Sequence, residues 1–182
     1  MISVKVLNES GYDEAMLGLS LSYQAPADRM SAVALRLKDK NLGHNKFLRM
    51  MVVWLDVTGP RYWWQEADTY AVGTTKQSES TMHTLVKSIH AVDALNDLFE
   101  PGSLNPQTAM GLIQAADQND VAAVKRLLPE GFLQRRIWMV NYQVLRNIIA
   151  QRSNHRLPHW KEFCTCVKAQ VAHPEFLEIE ND

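Results

Sequence analysis

The sequence predicts an α+β fold, mostly helical, in a single domain over residues 1–182 with a small mixed or antiparallel sheet. Apolar residues recur at helical spacing in several separate stretches, which sets the helical majority. Strand character is confined to two short places, the alternating Ile2-Ser-Val-Lys-Val-Leu7 and the β-branched run that ends at Val57, so the sheet is small. The chain has 182 residues, 46% of them apolar and 21% charged, enough for one core, and no repeat, low-complexity tract or linker divides it.

Ile2–Leu7 reads as a first strand with one buried face, and Asn8-Glu-Ser-Gly11 as the turn after it. Tyr12 to Leu21 is a helix with Ala15, Met16, Leu19 and Tyr23 on one face, stopped by Pro26. Asp28 is placed to cap a helix from Met30 to about Lys40, and Asn41–Asn45 is a loop. In the second strand Val53, Leu55 and Val57 share one face, and Trp54 and Asp56 the other; Gly59-Pro60 ends it. Pro60 suits the first turn of a helix from Arg61 to about Tyr70, with Gly73 and the hydroxyl residues after it as a loop. Ser80 or Thr81 is placed to cap a long helix through Leu85, Val86, Ile89, Val92, Leu95 and Leu98. Asn105-Pro106 has the preferred cap and first-position order for a helix to Ala116, and Val121–Leu128 is a short helix ended by Pro129. Gly131–Met139 reads as irregular or extended, Asn141–Gln151 as a helix, His159–Val171 as the last helix, and the rest as an acidic tail.

The net charge of −1 excludes a general nucleic-acid binder, which needs a basic surface. No apolar run reaches the roughly 20 residues of a membrane span, and no signal-peptide pattern opens the chain, so a cytoplasmic protein is expected. Cys164 and Cys166 stand too close for a usual structural zinc pair and have no second pair, so they read as reduced thiols. His155 and His159 are spaced for one helical face, but Pro158 between them spoils a metal pair, and no metal site is expected. No Walker or Rossmann glycine pattern is present, so a phosphate would be held by side-chain cations or helix N-termini. Arg61, Lys76, Arg126, Arg135, Arg136, Arg146, Arg152 and Arg156 are the cations on offer.

The stretch Gly59–His83 crowds specific side chains together: Tyr62, the adjacent Trp63 and Trp64, Tyr70, and a run of serines and threonines. Aromatic faces and small donors suit a polar, ring-containing ligand. Further on stand Lys125-Arg-Leu-Leu-Pro129, then Asn141, Asn147 six positions later and Arg152 eleven positions after Asn141. These elements, with Gly43-His44 upstream and Ser78 and Ser80 downstream of Pro60, resemble the flavin-dependent thymidylate synthases in fragments over positions 43 to 165. The Pro60-Arg-Tyr-Trp-Trp64 and Ser78-Glu-Ser-Thr-Met-His83 wording is also similar to that of phage and prophage proteins.

The resemblance implies the fold of that family, FAD as cofactor, a pyrimidine nucleotide as ligand, one-carbon transfer to the 5-position of the base, and a homotetramer with its sites between subunits. It implies Asn141, Asn147, Thr74 and His44 at the cofactor, and Arg152, Ser78, Ser80, Tyr62 and Trp63 at the nucleotide. No catalytic residue is assigned, because in that family reduced flavin carries the methylene group. The chain departs from the family at its Arg-His-Arg-x-x-Ser signature, where Asp68-Thr-Tyr-Ala71 stands. A later signature Arg is Thr81 or Met82, and the second Arg of the long helix is Gln143. Two functions therefore stay open: a thymidylate-synthase-like enzyme, or a non-catalytic phage protein that keeps the fold as a nucleotide-binding or interaction module.

Overall fold

In a computed structural model, residues 2–40, 43–91 and 95–179 are described. Helices dominate and the sheet is small and antiparallel, as the sequence predicts; it has four strands rather than the two read from sequence, in the order β1-β2-β4-β3. The described residues divide into two compact units: 2–3, 57–69, 77–91 and 95–136 in the first, and 4–40, 43–56, 70–76 and 137–179 in the second.

Strand β1 covers Ser3–Ser10 and outruns the expected end at Leu7, because Asn8-Glu-Ser stays extended and the reversal is left to Gly11. Gly11 has φ +92°, and a Cβ there would stand 2.1 Å from the Met50 carbonyl oxygen, so only glycine fits. Helix α1 follows at Tyr12–Tyr23 with Ala15 and Met16 buried. Asp28 is not a cap: it lies in a single 3₁₀ turn, Ala27–Arg29, whose own backbone leads into α2 at Met30–Leu37. Strand β2, Val52–Pro60, buries Val53, Leu55 and Val57 and leaves Trp54 and Asp56 half-buried, the alternation read from the sequence.

Pro60, with an extended ψ of 153°, is the last residue of β2 and the N-cap of α3, which starts at Arg61 as expected. Helix α3, Arg61–Ala67, is shorter than expected and gives way to a turn. The hydroxyl run after Gly73 is not a loop: Thr74–Ser78 forms β3, where the β-branched threonines pair against β4. The long helix expected from residue 81 is shorter, with α4 at Leu85–Ala91 and a 3₁₀ turn at Leu95–Leu98. Val92, assigned to that stripe, lies outside the described residues. Helix α5, Pro106–Asp117, is capped as predicted, with Asn105 Oδ1 accepting from Thr108 N at 2.8 Å. Asp120 caps α6, Val121–Leu127, in the same way. The stretch read as irregular or extended is strand β4, Leu133–Asn141, paired on both sides within the sheet. Helices α7, Tyr142–Arg152, and α8, Pro158–Gln170, complete the chain, with a 3₁₀ turn at Pro174–Phe176.

Leu85, Ile89, Leu112, Val124, Leu128 and Phe132 form the centre of a core among α4, α5 and α6 in the first unit. Trp63 and Trp64 are fully buried there, their rings edge to face at 4.8 Å. In the second unit Leu145, Ile148, Trp160 and Phe163 are buried, as are Phe176 and Leu177 of the tail, and the Phe176 ring stands edge to face with Phe47 at 5.8 Å. The tail is tethered as well as packed: Arg146 Nη1 donates to the carbonyls of Phe176 and Glu178 at 3.0 and 2.6 Å. The ammonium of Lys38, itself buried, donates to the carbonyls of Glu175 and Glu178 at 3.0 and 2.9 Å. These contacts give both cations the acceptors that buried charge requires.

Candidate functional site

A cleft of about 290 Å³ opens in the first unit, lined by Arg61, Gln65, Thr81, Lys125, Gln134 and Arg136, with Leu128 as apolar floor. Each element contributes by its own geometry. Arg61 and Gln65 stand one turn apart on α3, so both present to one side. Lys125 comes from the last turn of α6, and Gln134 and Arg136 alternate along β4 onto one face. Three of the six polar lining residues are cations, and among the described residues no acid lines the cleft.

The cations are held to different degrees. Arg61 Nη1 donates to the Leu128 carbonyl at 3.1 Å, and Nη2 lies 3.5 Å from Glu130, a half-exposed ion pair worth little in itself. Arg136 is fixed more firmly. Its guanidinium carbon lies 4.4 Å from the Trp64 ring centroid, Nη2 donates to Gln134 Oε1 at 3.0 Å, and Nη1 donates to both Asp68 oxygens at 3.0 Å. Trp64 is fixed in turn by its indole N–H, which donates to the Gln134 carbonyl at 3.0 Å. Lys125 Nζ is exposed and, among the described residues, reaches only the Met82 sulfur, at 3.4 Å. Such a set can hold an anion: one mobile ammonium and two guanidiniums in preset planes suit a phosphate.

In the second unit the Arg152 side chain is built into an aromatic setting. Its Nε donates to the Tyr70 hydroxyl at 3.0 Å, which itself donates to Gln151 Oε1 at 2.8 Å. The guanidinium carbon lies 5.0 Å from the Trp160 ring centroid and 5.7 Å from that of Tyr70. Nη1 lies 2.8 Å from His155 Nε2, which must accept, because a guanidinium has only donors. A larger cleft of about 480 Å³ in this unit is lined by Glu9, Asp13 and Glu14 with Tyr12, Tyr142 and His173. Its three carboxylates disfavour an anionic ligand.

The residues singled out by resemblance fall in both units. Ser78, Ser80, Tyr62 and Trp63 belong to the first; His44, Thr74, Asn141, Asn147 and Arg152 belong to the second. Tyr62 donates its hydroxyl to Glu100 at 2.6 Å, and Trp63 is interior. Ser78 and Ser80 are exposed, and the Ser80 carbonyl accepts from the Thr84 backbone N–H at 3.0 Å. Asn141 caps α7 by accepting from Val144 N at 3.0 Å, and donates to the Gly73 carbonyl at 3.2 Å. Gly73 has φ +72°, and a Cβ on it would stand 2.8 Å from that amide nitrogen. Thr74 Oγ1 accepts from the Trp138 indole N–H, Asn147 Oδ1 accepts from Gln143 Nε2 at 3.2 Å, and His44 is exposed. Among the described residues no group of three or more His, Cys, Asp or Glu side chains could hold a metal, and no helix is long and apolar enough to cross a membrane.

Sequence reasoning did not single out Gln65, Lys125 or Gln134 as binding residues. Lys125 was visible only inside the Leu-Pro element, and Gln65 shares a helical face with Arg61, a spacing open to inspection. Gln134 and Arg136 pair only once the stretch is known to be a strand.

No protein-family model matches the chain, and no curated protein matches it by sequence. Solved structures do match. One is thymidylate synthase X of Helicobacter pylori with FAD and dUMP, with a TM-score of 0.82 and 14% identity over 98% of each chain. Another is the flavin-dependent thymidylate synthase of Helicobacter pylori complexed with FAD and dUMP, with a TM-score of 0.81 and 15% identity over 97% of this chain and 98% of that one. The chain therefore has the thymidylate synthase X fold along nearly its whole length, and at such low identity the likeness establishes the fold alone.

Proposed function

We propose that the chain is a thymidylate-synthase-like nucleotide-binding protein that holds a pyrimidine nucleotide by its phosphate in the cleft of Arg61, Lys125 and Arg136. The observation that carries this reading is the convergence of three cations on one cleft, of which Lys125 has no acidic partner among the described residues while Arg61 and Arg136 pair with Glu130 and Asp68. The solved neighbours that share the fold bind dUMP, which makes dUMP the first ligand to try. Lys125 is the leading contact, because among the described residues its ammonium reaches only a thioether. A charge-assisted contact to phosphate contributes about 1.5–3 kcal/mol. Lys125→Ala is therefore expected to weaken dUMP binding about tenfold by calorimetry, with deoxyuridine binding unchanged. Equal dUMP affinity in the folded variant would remove the cleft from this function.

Arg152 belongs to the proposal on the resemblance. Arg152→Ala is expected to weaken dUMP binding with the fold retained, and an unchanged affinity would leave Arg152 a structural residue that holds Tyr70, His155 and Trp160.

FAD fits the residues implied for it poorly. Asn141, Asn147, Thr74 and His44 carry no permanent cation to meet a flavin diphosphate. Asn141 has both ends of its amide engaged, with Val144 and Gly73, and Thr74 already accepts from Trp138. This observation favours the second reading, a binding module that keeps the fold without the one-carbon chemistry, and no reaction step is assigned through flavin.

A further inference from the structure

Arg136 enters the cleft with its charge already answered from within the chain. Asp68 follows the last turn of α3, and its backbone N–H donates to the Trp64 carbonyl at 2.8 Å, which fixes where the side chain starts. Its two carboxylate oxygens each lie 3.0 Å from Arg136 Nη1. Arg136 cannot swing aside freely, because Trp64 lies beneath its guanidinium and Gln134 holds Nη2. The Arg136 side chain is 16% exposed and that of Asp68 50%, so the pair is at the surface rather than deep in the core, and Arg136 is its member that lines the cleft.

We infer that Asp68 is a specificity-determining residue, an internal counter-ion that biases the cleft toward nucleotides of low phosphate charge. This rests on the nucleotide reading above and goes beyond it by naming the charge state the cleft prefers. Two effects act together. The carboxylate takes the Arg136 donors that a phosphate oxygen would otherwise use. It also sets a fixed negative charge beside any bound phosphate, and that repulsion grows with each further charge on the ligand. A monophosphate can be met by Lys125 and by Arg61, whose contact with Glu130 at 3.5 Å is the looser of the two ion pairs, whereas a triphosphate needs the third cation that Asp68 occupies.

Calorimetry with dUMP, dUTP and deoxyuridine on the wild-type chain, Asp68→Asn and Asp68→Glu tests this. Asp68→Asn is expected to tighten dUTP about tenfold and dUMP by about threefold, with deoxyuridine unchanged, because only charged ligands feel the lost carboxylate. Asp68→Glu restores the charge and is expected to keep the wild-type ratio of dUTP to dUMP affinity. Asp68→Ser stands in if the Asn variant does not fold. The inference is overturned if the dUTP to dUMP ratio stays at its wild-type value in the charge-removed variant, or if deoxyuridine tightens equally. If the wild-type chain binds dUMP and Lys125→Ala weakens it while that ratio does not move, the nucleotide reading stands and only the role of Asp68 fails. If no nucleotide binds any of the proteins, both fail together.

Discussion

Tyr142 opens α7 with its ring buried and its hydroxyl between two partners. It donates to Glu9 at 2.5 Å and accepts from the His173 N–H at 3.2 Å, and the other Glu9 oxygen accepts from Ala172 N at 2.7 Å. Burial first, then the hydrogen bond to Glu9 and its negative charge, pushes the phenol well above its ordinary value of 10.0. The folded chain therefore keeps a neutral Tyr142 at a pH where the unfolded chain has begun to ionise it. The unfolded state then binds fewer protons, so stability falls as pH rises above about 10, and this contribution is intact below it. Tyr142→Phe is expected to lose about 2 kcal/mol at pH 8 in urea unfolding, the size of a hydrogen bond to a charged group. Because phenylalanine does not titrate, the gap between the two proteins should narrow at pH 11. A constant gap would mean that Tyr142 ionises alike in both states.

The elements differ in how far they could be read from sequence. Helices α1, α5 and α7 were legible because each has a local signal: an apolar face of its own, and for α5 an Asn105 cap with proline next to it. Strands β3 and β4 were not, because their signal lies elsewhere in the chain. Leu133–Asn141 carries Arg135 and Arg136 in its middle, and it becomes a strand by pairing with β2 on one side and β3 on the other. Two of the seven residues that line the basic cleft were hidden with it, since Gln134 and Arg136 share a face only in an extended chain. Helix α8 shows the opposite case, in which one helix makes two similar residues differ. Cys164 is buried and its thiol is pushed up to about 11 by that burial, whereas Cys166, two residues on, is only half-buried. At pH 8 Ellman's reagent should titrate one thiol quickly in the native protein, Cys166, and reach Cys164 only after denaturant is added. Two thiols of equal rate, or loss of the fast phase only on replacing Cys164 with Ser, would reverse that assignment.

At the scale of the whole molecule, the fold survives at 14% identity because it depends on pattern: apolar faces at the right period, caps, and strands able to pair. A binding site depends on identity, since an amide or a guanidinium at one position decides whether a phosphate is met. The backbone frame is kept over 98% of each chain, yet Asp68-Thr-Tyr-Ala71 stands where the resemblance expects Arg-His-Arg, and Asp68 is spent on Arg136. The consequence can be measured on the intact protein without assuming any reaction. A flavin diphosphate held without cations forfeits charge-assisted contacts of about 1.5–3 kcal/mol each, so two such losses lower affinity by roughly a hundredfold or more. Purified protein incubated with excess FAD and then desalted is accordingly expected to show no flavin band in its visible spectrum, while dUMP binding measured on the same sample persists. A retained band at one flavin per chain would mean that cations outside the Asn141, Asn147, Thr74 and His44 set grip the diphosphate. The enzyme reading would then lead over the binding module, and those cations would be sought first among Arg126, Arg135 and Arg156.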